Sequence, residues 1–287
     1  MKKSFGLAGF TRARFCAGLL ILAAAATLLR ILSLFFFYDI NSGYHMSGAL
    51  LPIIAGITVA FSAVACIVFC YIPRLSVVSD GTAESNALGY LFAIPALTAV
   101  YFIYGLVTKL LEYAQYGQSA SRLEILTLVL AVSSLIYFII AATKFKVGSS
   151  AAPVFAILSA LWTVTLISDS YFDMLVPMNS PNKTVNALAL VASMMFLVSE
   201  MRLTMTDKNN RFRLFSVSLA VLLNAVSAIP SLAAHLCGAF GGSYSFGMGE
   251  AVSLSLLFPA IARLVSICLK SEPMIHDDPT SLPTTTD

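Results

Sequence analysis

The chain has 287 residues, of which 59% are hydrophobic and 11% are charged, with a formal net charge of +3 and a mean hydropathy of +0.88. Soluble domains carry roughly twice this charged fraction and are only about half apolar. The composition therefore excludes a nucleic-acid-binding protein, a disordered chain and a disulfide-rich secreted domain, and it indicates a polytopic membrane protein.

Apolar runs long enough to cross a bilayer, which takes about 20 residues, follow one another along the chain. Eight runs are predicted to be transmembrane helices: 15–38, 49–72, 87–108, 123–143, 151–172, 184–203, 214–236 and 251–269. The first run is longer than the apolar core of a signal peptide, so we expect it to remain as an uncleaved helix. Short polar turns join the runs, which favours antiparallel neighbours. The predicted fold class is an all-α membrane bundle of eight helices.

The remaining residues are scattered, and no segment approaches the roughly 50 residues that a soluble domain needs. We therefore expect three regions: a basic cytoplasmic N-terminus over 1–14, a transmembrane domain over 15–269 and a disordered cytoplasmic tail over 270–287.

Basic residues indicate the orientation of the bundle. With the N-terminus in the cytoplasm, eleven of the 17 basic residues fall on the cytoplasmic side, namely Lys2, Lys3, Arg12, Arg14, Arg74, Lys144, Lys146, Lys208, Arg211, Arg213 and Lys270. The outer loops hold three, Lys109, Arg122 and Lys183. This asymmetry follows the positive-inside rule and predicts that both termini are cytoplasmic.

Arg30 lies inside the first apolar run, nine positions before Asp39, or about 13 Å along a helix. A charge at this depth is costly unless it is paired or hydrated, so the side chain should point into the bundle. Three acids on the outer half are candidate partners: Asp169, Glu124 and Glu250. Arg30 is interpreted either as a contact for a ligand carboxylate or as part of a structural ion pair.

A second charged group is predicted at the cytoplasmic rim. Glu200 and Arg202 end the sixth run, and Arg211 and Arg213 open the seventh. Because the connection is short, Glu200 can meet Arg213 or Arg211, and Arg74 and Arg263 could join them. Such residues satisfy the topology and contact anionic lipid, or they form a docking face for a cytosolic partner.

Metal and cofactor sites are not predicted. Cys66 and Cys70 share one helix face, but no further ligands lie near them in sequence, so packing is the better interpretation. His45 and His235 have no fixed local spacing to each other or to an acid. Zinc-protease, Walker, nucleophile-elbow and dinucleotide motifs are all missing from the sequence, so we expect no enzymatic activity.

Three classes of function stay open. We expect first a non-enzymatic sensor or accessory membrane component, and as an alternative a small-molecule transporter or permease with a site near Arg30. A membrane-embedded enzyme acting on lipid comes third. The predicted partners are the lipid bilayer and a membrane protein or a second copy of the chain, with no nucleic acid, and Ala23–Ala26 are a candidate contact face. The predicted location is a prokaryotic plasma membrane.

Overall fold

The apolar runs fold into long helices. The computed structural model describes residues 5–39, 44–71, 89–143, 151–172, 180–206, 211–238 and 246–269. Its helices are α1 (Phe5–Phe37), α2 (Leu50–Tyr71), α3 (Ala93–Gln115), α4 (Arg122–Thr143), α5 (Ala151–Phe172), α6 (Pro181–Thr206), α7 (Arg211–Leu236) and α8 (Met248–Leu269). A short 3-10 helix over Gly89–Phe92 leads into α3.

Within the described ranges, all eight helices are long and apolar enough to cross a membrane. This confirms the predicted all-α bundle of eight spans. The boundaries differ most in α1, which begins at Phe5, ten residues before the apolar run, although its membrane-spanning part is Arg14–Phe37. Helical backbone hydrogen bonding does not depend on apolar side chains, so a helix can extend past the apolar run. The predicted tail over 270–287 lies outside the described residues, as does Arg74.

Two two-residue strands follow α1, and the apolar runs did not predict them. β1 (Tyr38–Asp39) pairs antiparallel with β2 (Tyr44–His45), and Tyr38 is opposite His45. The hairpin brings His45 back toward the last turns of α1, where its Nδ1 atom lies 3.5 Å from the Ser33 hydroxyl.

The helix α7 forms the centre of the bundle. In its membrane-spanning part 78% of the residues are buried, against 22% in α2 and 28% in α3, which lie at the periphery. It packs against α1, α2, α6 and α8. Small residues such as Ser216, Ala220 and Ala228 are buried along it, and they let neighbouring helices approach closely.

Contacts at the two ends show that α1 runs antiparallel to α2 and to α6. The beginning of α1 meets the end of α2 through Phe15 and Phe69, whose ring centroids are 5.7 Å apart. At the opposite end, the last part of α1 meets the beginning of α6 through Arg30 and Asn182. We call the end with Phe15 the inner end and the end with Arg30 the outer end, following the predicted orientation. That orientation stays a prediction.

Candidate functional site

Three charged side chains meet inside the bundle near the inner end. Arg213 on α7 donates from Nη2 to Glu200 Oε1 on α6 at 3.4 Å. Arg263 on α8 donates from Nε to Glu200 Oε2 at 3.1 Å, and its Nη2 lies 3.0 Å from the same oxygen. All three residues are at most 7% exposed. We call Glu200, Arg213 and Arg263 the inner cluster, and it ties three helices together.

Aromatic side chains surround the inner cluster. The Arg263 guanidinium lies 5.7 Å from the ring centroid of Phe92, which stacks in turn on Phe196. Tyr137 is close enough to interact electrostatically with the charges of the cluster. Two arginines and one glutamate carry one positive charge in excess, and the electron-rich face of Phe92 offsets part of it.

The structure places the residues predicted at the cytoplasmic rim in different environments. Glu200 and Arg213 meet, and Arg263 joins them from α8. Arg202 is exposed and lies over the Phe212 ring, with its guanidinium carbon 5.5 Å from the ring centroid. Arg211 is half-buried at the start of α7. The predicted group therefore divides into a buried cluster and residues nearer the surface.

Arg30 is half-buried near the outer end, and it donates from Nη2 to Asn182 Oδ1 at 2.8 Å. Its charge acts electrostatically on Glu250 of α8 and on His45. Glu250 is one of the predicted acids, and the structure places it within the electrostatic reach of Arg30. Asp169 is exposed near the outer end of α5.

Glu124 was predicted as a partner of Arg30, and it contacts other groups instead. Its Oε1 atom lies 2.7 Å from Lys109 Nζ on α3. Its Oε2 accepts a hydrogen bond from the Ser121 backbone at 2.9 Å, while the Glu124 backbone donates to Ser121 Oγ at 3.1 Å. This reciprocal capping box holds the carboxylate at the start of α4, in the α3–α4 hairpin.

Two helix N-termini lie beside Arg30. Ser180 is the N-cap of α6, since its carbonyl accepts the Thr184 N–H at 3.1 Å. At the start of α8, the Glu250 carboxylate lies against the backbone of Gly247, because a Cβ atom on Gly247 would lie 2.5 Å from Glu250 Oε2. The Asn186 side chain fits against Gly249, because a Cβ atom there would lie 2.7 Å from Asn186 Nδ2. We call Arg30, Ser180, Asn182, Asn186 and Glu250 the outer layer.

Several buried polar atoms of the outer layer have no hydrogen-bond partner within the described residues. Among them are Ser180 Oγ, Asn182 Nδ2 and Asn186 Oδ1. Buried polar atoms are hydrogen-bonded in the great majority of cases, so unsatisfied ones call for a physical explanation such as water, an ion or a ligand. Their grouping beside a guanidinium makes the outer layer the best candidate binding site.

A polar stripe on α6 joins the outer layer to the inner cluster. Asn186, Ser193 and Glu200 are spaced by seven residues, which places them on one helix face, and all three are buried. The stripe is about 21 Å long at 1.5 Å per residue. Ser193 Oγ donates to Asn224 Oδ1 on α7 at 3.0 Å. Sequence reasoning missed Asn186, Ser193 and Asn224, although the seven-residue spacing in an apolar run was a usable signal.

His45 lies outside the membrane spans, and its environment changes the pKa of its imidazole. Burial lowers the pKa of its imidazole below the ordinary value of 6.5, and the positive charge of Arg30 lowers it further. A backbone hydrogen bond with Phe37 opposes both effects. The imidazole therefore stays neutral at neutral pH beside the guanidinium.

His45 and His235 pack against different rings. His45 lies edge-on to Tyr38 at 5.6 Å between centroids, and His235 lies 6.3 Å from Phe246. In the part of the chain that the structure describes, no group of three or more His, Cys, Asp or Glu side chains could hold a metal ion. All five cysteines are free, and four of them are buried.

Within its described residues, the structure has eight apolar helices whose most polar contacts lie inside the bundle, and this arrangement identifies the general class of protein. The chain is a multi-pass membrane protein. No family model matches it, and no curated protein or solved structure gives a match.

Proposed function

We propose that the protein is a non-enzymatic membrane sensor that binds a small molecule at the outer layer. The observation that carries this proposal is the contrast between the two layers. The inner cluster is buried and its charges bind one another, whereas Arg30 and Glu250 in the outer layer are only half-buried. We therefore propose that a small molecule enters from the outer end of the bundle and that the inner end stays closed.

The contacts between α6 and α8 can transmit the effect of ligand binding from the outer layer to the inner cluster. Asn186 contacts Gly249 near the outer end, and Glu200 binds Arg263 near the inner end. A ligand that moves α6 relative to α8 at Asn186 would also displace Glu200 relative to Arg263. Shifts of about 1–2 Å between packed helices are a common form of switching, because packed interfaces have discrete arrangements.

The acids of the two layers support a non-enzymatic activity. Glu200 accepts hydrogen bonds from two guanidinium groups, and the Glu250 carboxylate lies against the Gly247 backbone. A general acid or base must be free to exchange a proton with a substrate. Carboxylates that are held in this way fit structural and recognition roles better.

A sensor of this kind needs a membrane partner that receives the signal, or a second copy of the chain. Ala24 and Ala25 are exposed on α1 and provide small residues on which another helix can pack. Ala23 and Ala26, the other half of the predicted contact face, are buried inside the bundle. The location we propose is a prokaryotic plasma membrane.

A transporter is the second candidate, and the polar stripe on α6 favours it. Between the two layers, Asn224 Nδ2 and Ser253 Oγ are buried without a hydrogen-bond partner in the described ranges. Polar groups along a membrane bundle often line the route of a transported solute. In a transporter the inner cluster would have to open during the cycle, which the sensor proposal does not require.

Ligand-dependent stabilisation of the purified protein in lipid nanodiscs tests the proposal. The probes are monocarboxylates, α-amino acids, inorganic phosphate and neutral sugars, each measured by the shift in Tm. We expect at least one class to raise Tm in the wild type and not in Arg30→Gln. The matched control is Lys109→Gln, which removes a positive charge at the α3–α4 hairpin and should keep the response.

Uptake into proteoliposomes separates the two candidates. For the ligand that raises Tm, the sensor proposal predicts no uptake beyond that of protein-free vesicles. Uptake that depends on the protein would support the transporter. If no class of probe raises Tm, the proposal of a small-molecule site at the outer layer is wrong.

A further inference from the structure

We propose that the outer layer binds a small zwitterion with one carboxylate and one ammonium group, as in an α-amino acid. This inference rests on the proposed function, because it names the ligand class of the same site. It follows from the separation of hydrogen-bond donors and acceptors between the two helix N-termini, and from the charge balance of the layer.

The side of the layer formed by α1 and α6 is suited to a carboxylate. The Arg30 guanidinium lies there, bound to Asn182 at the first turn of α6. Helix N-termini attract anions through their N–H groups and their dipole. Asn182 Nδ2 is a buried donor without a hydrogen-bond partner in the described residues, and the Ser180 hydroxyl at the N-cap is unsatisfied as well. These groups can bind both oxygens of a carboxylate.

The side of the layer nearer α8 is suited to an ammonium group. Glu250 provides a carboxylate, and Asn186 provides an amide oxygen. Asn186 is 4% exposed, and its Oδ1 atom has no donor among the described residues. An ammonium group has three donors and no acceptor, so it satisfies an orphaned acceptor and a carboxylate together.

The net charge of the layer distinguishes a zwitterion from a simple ion. When Glu250 is ionised, it and Arg30 carry opposite unit charges, and the neighbouring His45 stays neutral at neutral pH. Binding of a lone anion or cation would leave an uncompensated charge in a partly desolvated site, which is costly. A zwitterion places each of its charges beside the opposite one and leaves the total unchanged. Inorganic phosphate, in addition, has no ammonium group that could donate a hydrogen bond to Asn186 Oδ1.

Modified amino acids provide the direct test. We would screen the twenty α-amino acids against wild-type protein in nanodiscs and take the one with the highest affinity. Its N-acetyl derivative lacks the ammonium, and its amide derivative lacks the carboxylate. We expect each derivative to bind at least about tenfold more weakly, a loss of about 1.4 kcal/mol. Equal binding of the N-acetyl derivative would overturn the inference.

Two variants test which side chain binds the ammonium group of the ligand and which binds its carboxylate. Glu250→Gln should weaken the binding of the amino acid and leave that of its N-acetyl derivative unchanged. Arg30→Gln should weaken the binding of both. Glu112→Gln removes an exposed acid on α3 and should change neither affinity. If Arg30→Gln does not fold, Asn186→Ala replaces it, with the pattern expected for Glu250→Gln.

The failure of this inference can be told apart from the failure of the proposed function. A simple carboxylate that binds as tightly as the amino acid, and requires Arg30, would leave the outer-layer sensor intact and exclude the zwitterion. Amino acid binding that neither Glu250→Gln nor Arg30→Gln alters would place the ligand elsewhere and overturn the inference. The absence of binding by every class of probe would refute both.

Discussion

Glu200 on α6 binds Arg263 on α8, which lies 63 residues later in the chain. The same separation relates Asn186 to Gly249, the contact at the other end of these two helices. The helices α6 and α8 therefore run parallel in a constant register from the outer layer to the inner cluster. This register connects the outer layer, in which Arg30 and Glu250 are half-buried, to the fully buried inner cluster.

Glu200→Gln should destabilise the protein strongly. It removes the negative charge that two buried guanidinium groups share, and breaking a buried ion pair in this way costs about 3–5 kcal/mol. The measurement is the thermal or denaturant midpoint in nanodiscs. Lys109→Gln is the control, because the Lys109 side chain is 52% exposed and its pair with Glu124 should contribute at most about 1 kcal/mol. Equal losses in the two variants would contradict the account.

Gly249→Ala should disturb the contact between α6 and α8. The new methyl group would lie 2.7 Å from Asn186 Nδ2, so the amide must move, at a cost of about 1–3 kcal/mol. Gly105→Ala on α3 is the control, because nothing lies within 4 Å of its Cβ position. Adding Asn186→Ala to Gly249→Ala should restore part of the lost stability. A double variant no more stable than Gly249→Ala would show that Asn186 is not the obstacle.

Acidification should destabilise the protein through His45. Burial and the charge of Arg30 lower its pKa in the folded state below 6.5, so the unfolded chain binds the proton more readily. The stabilising contribution is complete above pH 6.5 and is lost as the pH falls from 6.5 toward the folded pKa. Melting curves between about pH 7.5 and 5 should show this loss, and His45→Gln should reduce it. An unchanged pH dependence in His45→Gln would contradict the prediction, and His235→Gln serves as the control.

Thiol labelling should distinguish one cysteine from the others. Cys237 follows α7 at the outer end and is exposed, whereas Cys16, Cys66, Cys70 and Cys268 are buried. A membrane-impermeant maleimide added to intact cells should therefore modify one thiol per chain, and Cys237→Ala should abolish the reaction. Labelling of Cys237 only after the cells are permeabilised would reverse the predicted orientation.

The number and type of helices could be predicted from the sequence because each span needs a long apolar run. Glu200 and Arg213 could be predicted to meet because a short connection joins their helices. The sequence indicated Arg263 only as a further candidate partner of Glu200, because α8 reaches α6 through tertiary packing and not through a short connection. Glu124 was one of three candidate partners of Arg30, and in the structure its carboxylate binds Lys109 and the capping box with Ser121.

The outer layer was predicted only in part. Arg30 was found as a charge within a span, and Glu250 was among its candidate partners. The uncharged members, Ser180, Asn182 and Asn186, cannot be identified from the sequence, because serine and asparagine are common in loops and at helix N-termini. Their significance depends on which of their atoms are left unsatisfied after packing, and that is a property of the folded bundle.

Access to Ser193 from the two sides of the membrane tests the central claim, that the outer layer binds ligand while the inner end stays closed. Ser193 lies between the two layers on the stripe of α6. In a chain whose five native cysteines are replaced by alanine, Ser193→Cys would be treated with an impermeant thiol reagent from either side. Met205→Cys, exposed at the inner end of α6, and Leu188→Cys, exposed to lipid, are the controls.

The account predicts that the reagent modifies Met205→Cys from the inner side and leaves Ser193→Cys unmodified from that side, with or without amino acids. Modification of Ser193→Cys from both sides would contradict it, because the inner cluster would then open to water and the protein would be a transporter.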